Sequence, residues 1–227
     1  MDGGEEGAPL KRLLSQHPRA GRWLSPFLLT CSVSLLWTPE LQPSWPAALL
    51  KCLPVVCLVL FLGAVPTTWV HTSLLQGALL CSVVGDACLV WPETFLHGMA
   101  AFAAAHLFYL RAFGLFPLRP SLLLLALLAA ATYLSLLLPH LEPAMAGPVA
   151  AYAPLLAAVL WRGLARGGST SHGVLLFAVS DAVLAWDAFV WPLPHGRLVT
   201  MTTYYAAQAL IALSVLRSPE SPRARAA

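Results

Sequence analysis

The chain has 227 residues, of which 59% are hydrophobic and only 10% are charged, and its mean hydropathy is +0.75. That balance excludes a water-soluble globular domain and points to a protein that crosses a bilayer several times. The net charge is only +3 and the basic residues are scattered, which argues against a nucleic-acid partner.

Leu- and Ala-rich runs of membrane-spanning length recur along the chain, whereas the short alternating segments of a lipid-facing barrel do not. The predicted fold class is therefore all-α, a polytopic membrane bundle of about eight transmembrane helices. Residues 1–21 mix Gly, Glu, Lys and Arg and read as a cytosolic N-terminal tail. Breaks at Pro, Gly and charged residues then divide the apolar sequence into spans near 23–38, 46–65, 72–91, 95–113, 119–138, 146–163, 172–190 and 198–216. They form a transmembrane domain over 22–217, followed by a cytosolic C-terminal tail at 218–227.

Basic residues set the orientation. With the N-terminus cytosolic, eleven of the thirteen fall on the cytosolic side: Lys11, Arg12, Arg19 and Arg22, then Arg111, Arg119, Arg162 and Arg166, and finally Arg217, Arg223 and Arg225. Arg197 falls outside and Lys51 sits at the start of a span. Glu40, Glu93 and Glu142 lie in connections on the opposite side. This bias predicts both termini in the cytosol.

The third span carries a carboxylate, Asp86, inside the apolar run from Cys81 to Trp91. The seventh span carries Asp181 in a near-copy, so that Asp-Ala-x-Leu-x-Trp occurs twice at an offset of 95 residues. Adding that offset maps each of the first four spans onto the span four places later, and maps Tyr109 onto Tyr204. Four helices is an even number, so the halves, about 22–113 and 117–216, read as parallel repeats.

A charged side chain within a span costs about 2.5–3.5 kcal/mol on insertion scales and usually faces the bundle interior or a watery cavity. Asp86 and Asp181 are accordingly the candidate catalytic residues. Gly85 and Ser180 precede them and allow close helix approach or room for a ligand. The fourth span places His106 and Tyr109 on one face, and the eighth offers Tyr204, Tyr205 and Gln208; together they predict a shared polar pocket. Asp187 lies in an interfacial aromatic stretch and reads as an exposed rim carboxylate. His71, His97, His140, His172 and His195 fall at span ends, and neither they nor the five cysteines show metal-ligand spacing, so no metal and no cofactor is expected.

Two carboxyls facing one another in a dry pocket can serve as acid and base for cleavage through an oxocarbenium-like cation. The same pair can serve a proton-coupled carrier or a lipid scramblase. Residue chemistry leaves both open.

The residues assembled here resemble the lysoplasmalogenase family of YhhN-like membrane proteins: Gly85-Asp86 in the third span, Gly98 with His106-x-x-Tyr109 in the fourth, Ser180-Asp181 in the seventh, and Tyr204/Tyr205 with Gln208 in the eighth. The similarity covers nearly the whole chain apart from the tails. It implies hydrolysis of the sn-1 vinyl-ether bond of lysoplasmalogens to a fatty aldehyde and glycerophosphocholine or glycerophosphoethanolamine, in the endoplasmic reticulum membrane and without a metal. The implied partners are the lysophospholipid substrate, water and the lipid bilayer, and a homodimer is compatible with this reading.

Overall fold

A computed structural model describes residues 18–37, 43–64 and 69–216. Among these residues there are eight α-helices and no strand: α1 (Pro18–Trp37), α2 (Trp45–Ala64), α3 (Trp69–Cys88), α4 (Phe95–Phe113), α5 (Pro120–Leu137), α6 (Pro143–Arg166), α7 (Gly168–Phe189) and α8 (Gly196–Leu213). Each matches one predicted span. The charges of both tails, Lys11, Arg12, Arg217, Arg223 and Arg225, and Glu40 lie outside the described residues.

The helix ends follow local chemistry. Pro120 and Pro143 occupy the first turns of α5 and α6, where a missing N–H leaves no bond unmade. Gly167 and Gly168 adopt φ of +74° and +63°, and only these two glycines separate Arg166 from the body of α7. Positive φ at two successive positions is cheap for glycine alone, so α6 reverses into α7 without a loop. The third span ends earlier than predicted, at Cys88; Val90 and Trp91 belong to a turn that leads into the 3-10 segment Pro92–Thr94. Conversely α6 outruns its prediction at both ends, so Arg166 is helical rather than in a connection, like Arg162 one turn before it. The reason is visible in their partners. Arg162 Nε donates to the Gly114 carbonyl (2.6 Å), its Nη1 to Pro117 (2.6 Å), and Arg166 Nη1 to Phe113 (2.8 Å). Two cations thus satisfy carbonyls at and beyond the C-terminus of α4, where the helix dipole favours positive charge.

Five helices have the length and apolar composition to cross a membrane: α2, α6, α7, and α5 and α8 with their 3-10 extensions to His140 and Leu216. α3 is less apolar because it carries Gln76, Ser82 and Asp86, and α4 carries His106. α5 shows the other extreme. Leu124, Leu125, Leu128 and Leu136 are exposed along it and only Ala126 and Leu137 are buried, as befits a helix that faces acyl chains. The chain is a multi-pass helical membrane protein.

The helices pack mainly on their neighbours in the chain. α1 packs on α2, α2 on α3 and α3 on α4; α5 packs on α6, α6 on α7 and α7 on α8; then α4 packs on α6 as α8 packs on α2. The tightest contact between α3 and α4 runs through glycine: a Cβ at Gly85 would lie 2.7 Å from the Phe102 ring and 3.2 Å from the Gly98 carbonyl. Gly85 therefore sets the height of Asp86 against α4.

Candidate active site

Asp86 is 1% exposed. Its Oδ2 accepts a hydrogen bond from the Tyr204 hydroxyl of α8 (2.6 Å), and its Oδ1 lies 3.7 Å from the Lys51 ammonium of α2. Asp181, partly buried on α7, receives the Tyr152 hydroxyl of α6 on Oδ2 (2.8 Å). Each carboxylate thus has one phenol donor, and among the described residues Asp86 alone of the two has a cation. The cation and the second phenol, Lys51 and Tyr152, were absent from the sequence-based candidates.

The remaining predicted residues fall into layers rather than one polar pocket. The Tyr109 hydroxyl donates to Gln208 Oε1, and Gln208 Nε2 donates to Ser82 Oγ (3.1 Å), so these three satisfy one another. His106 is fully buried, with Nδ1 2.6 Å from the Phe102 carbonyl and 3.4 Å from the Tyr152 hydroxyl, and its ring packs edge-on to Tyr152 and Phe177. It supports the surroundings of Asp181 and not, as its neighbouring helix suggested, those of Asp86. The Tyr205 hydroxyl donates to the backbone carbonyl of Lys51 (2.8 Å) and meets Ser34 Oγ (2.9 Å), pinning α2 where the ammonium projects. Ser180 Oγ donates to the Thr200 carbonyl (2.9 Å) and ties α7 to α8. Gly85, His106, Tyr109, Tyr205 and Gln208 line neither cavity described below; Ser180 and Tyr204 line the polar one. The correction has a physical reason. Buried polar groups without water must find partners among themselves, so most of them are consumed in structural hydrogen bonds.

Two cavities meet at this site. One, of about 370 Å³, is almost wholly apolar, enclosed by α4 to α7, and lined by residues such as Ala126, Ala130, Tyr133, Leu156 and Val179. The other, of about 290 Å³, is the more polar of the two and is lined by Lys51, Asp86, Asp181, Asp187, Arg197 and Tyr204 among others. Asp181, Leu89, Phe102 and Leu184 line both, and Asp181 is the polar member of that shared wall. Asp187 departs from the exposed rim residue expected: it is half-buried, borders the polar cavity and accepts the Leu193 N–H on Oδ1 (2.7 Å), closing the α7–α8 connection. No cluster of three or more His, Cys, Asp or Glu residues that could hold a metal occurs among the described residues.

The YhhN family model matches residues 47–215, which takes in all of α3 to α8 and both aspartates. The chain belongs to the YhhN family. Within it, this YhhN protein is similar to the Sus scrofa protein named Lysoplasmalogenase TMEM86B, with 63% identity over 222 residues, 97% of this chain and 98% of the relative. It is 62% identical over 221 residues to the Homo sapiens Lysoplasmalogenase TMEM86B, covering 96% and 98%. It is 38% identical over 232 residues to the Bos taurus Lysoplasmalogenase TMEM86A, covering 94% and 95%. No solved structure matches the chain.

Proposed function

We propose that this YhhN-family chain is an intramembrane lysoplasmalogenase, a hydrolase of the sn-1 vinyl-ether bond, in which Asp181 supplies the proton and Asp86 activates water. The observation that carries this reading is the place of Asp181 on the wall shared by an apolar and a polar cavity, with Asp86 on the polar side. A lysoplasmalogen has the same division: an alkenyl chain, then the vinyl ether, then a polar glycerophospho-base. The printed names of the relatives support the same substrate.

With the chain in the apolar cavity, the outer alkene carbon lies beside Asp181. No cation lies within ion-pairing distance of Asp181 among the described residues, and Tyr152 occupies only one of its oxygens, so the other can carry a proton. Transfer of that proton to the outer carbon leaves an oxocarbenium at the carbon bonded to the ether oxygen. Asp86, kept as a carboxylate by Lys51 and Tyr204, stabilises the cation and takes a proton from the water that adds to it. The resulting hemiacetal loses its glycerol oxygen, which takes up a proton, and the products are a fatty aldehyde and a free glycerophospho-base. Water and two carboxyls balance the reaction.

The protein resides in the endoplasmic reticulum membrane with both termini cytosolic, and its halves, 22–113 and 117–216, descend from one four-helix unit. Purified protein given lysoplasmalogen is expected to release fatty aldehyde, and Asp181→Asn or Asp86→Asn to abolish release while the protein stays folded. Undiminished turnover in both variants would remove the mechanism. Lipid flux in reconstituted vesicles with no aldehyde formed would support a carrier or scramblase in its place.

A further inference from the structure

The polar cavity holds more charge than hydrolysis of a vinyl ether requires. Besides Asp86, Asp181 and the Lys51 that pairs with Asp86, it is lined by Arg197, in the first turn of α8, and by Asp187, near the end of α7. Arg197 is exposed and forms neither a hydrogen bond nor an ion pair among the described residues, while Asp187 is engaged by a backbone N–H and by no cation. A guanidinium and a carboxylate that border one cavity would gain by pairing with each other, yet they stay apart. The sequence carries a second sign: of thirteen basic residues, Lys51 and Arg197 are the two outside the cytosolic clusters, and both line this cavity.

We infer that Arg197 and Asp187 form a headgroup subsite for a zwitterionic phosphodiester, Arg197 taking the phosphate and Asp187 the quaternary or primary ammonium. Guanidinium offers paired N–H donors that match two phosphate oxygens, and the first turn of a helix favours an anion. Asp187 keeps Oδ2 free, since only Oδ1 is committed to Leu193. The inference rests on the reading above, because it places the headgroup in the polar cavity once the chain fills the apolar one. It makes Arg197 a specificity residue: substrates that lack the phosphate lose its contribution.

The experiment compares kcat/KM for a lysoplasmalogen and for the phosphate-free 1-alkenylglycerol of the same chain. The wild-type preference for the phosphodiester is expected to fall about 10- to 100-fold in Arg197→Met, the loss of one hydrogen-bonded charge contact, and to recover in part in Arg197→Lys. Asp187→Asn is expected to weaken discrimination between a zwitterionic headgroup and a bare phosphate monoester. A purely structural role for Arg197 would lower both substrates alike, and an unchanged ratio overturns the inference. Binding of a non-cleavable 1-alkyl lysophospholipid to the protein in nanodiscs separates this inference from the hydrolase reading. Binding that weakens about 10-fold or more in Arg197→Met supports the subsite even where no aldehyde forms. Equal binding in both proteins overturns it, and inorganic phosphate that displaces the lipid at the lipid's own concentration would reassign the site to a free anion.

Discussion

Replacing Lys51 by Met would test whether Asp86 depends on its cation. The two charges lie 3.7 Å apart, and their side chains are 12% and 1% exposed. With an effective dielectric of about 20, attraction at that distance is worth about 4–5 kcal/mol, partly offset by the cost of desolvating both ions. Removing the ammonium alone strands a carboxylate that keeps only the Tyr204 hydroxyl, so Lys51→Met should destabilise the protein by about 3–5 kcal/mol. The double variant Lys51→Met/Asp86→Asn removes both charges and should recover most of that loss, so the coupling energy should be about 3 kcal/mol or more, at or above the top of the range typical of residues in contact. Reversible unfolding in mixed detergent micelles would give the four stabilities of the cycle, and aldehyde release would show both variants inactive. A Lys51→Met protein as stable as wild type, or a double variant no better than the single, would refute the claim that this pair holds Asp86 as a carboxylate.

Tyr152→Phe keeps the ring against His106 and deletes the donor to Asp181; kcat for lysoplasmalogen should fall about 10- to 100-fold with the fold intact, and wild-type kcat would show the contact to be incidental. Ala130→Trp should fill part of the apolar cavity, so the longest alkenyl chain accepted shortens while short-chain substrates persist; a uniform loss across chain lengths would place the chain elsewhere. Gln208→Leu should leave the Tyr109 hydroxyl without its acceptor and cost about 1–3 kcal/mol of stability, with KM little changed, as measured by unfolding and by steady-state kinetics. Gly85→Ala should cost about 1–3 kcal/mol, because its methyl would lie 2.7 Å from the Phe102 ring; unchanged unfolding would mean that α3 and α4 can part freely.

The architecture was legible because its signals are local. A run of apolar residues long enough to cross the bilayer must be a helix, since no other open segment satisfies its backbone there, and Pro, Gly and charge mark where each run stops. All eight helices were readable on that ground. Asp86 and Asp181 were readable too, because a carboxylate inside such a run is costly enough to need a reason.

Partners were not legible, because they depend on which helices touch. The 95-residue offset equates Tyr109 with Tyr204 and so suggests that Tyr109 serves Asp181 as Tyr204 serves Asp86, but Tyr109 turns to Gln208 and the donor to Asp181 is Tyr152. The offset places Tyr152 opposite Cys57, so no comparison of the halves could mark it. In the sequence Lys51 is only a cation at the start of a span; the Tyr205 hydroxyl on its carbonyl fixes its backbone, and its ammonium lies against Asp86. Composition and run length determined that this chain is a helical membrane bundle with two costly carboxylates. Only the packing of α2, α6 and α8 around α3 and α7 decided that one carboxylate has a cation and the other stands between two cavities, since a hydrogen bond or an ion pair is a property of distance between helices and not of order along the chain.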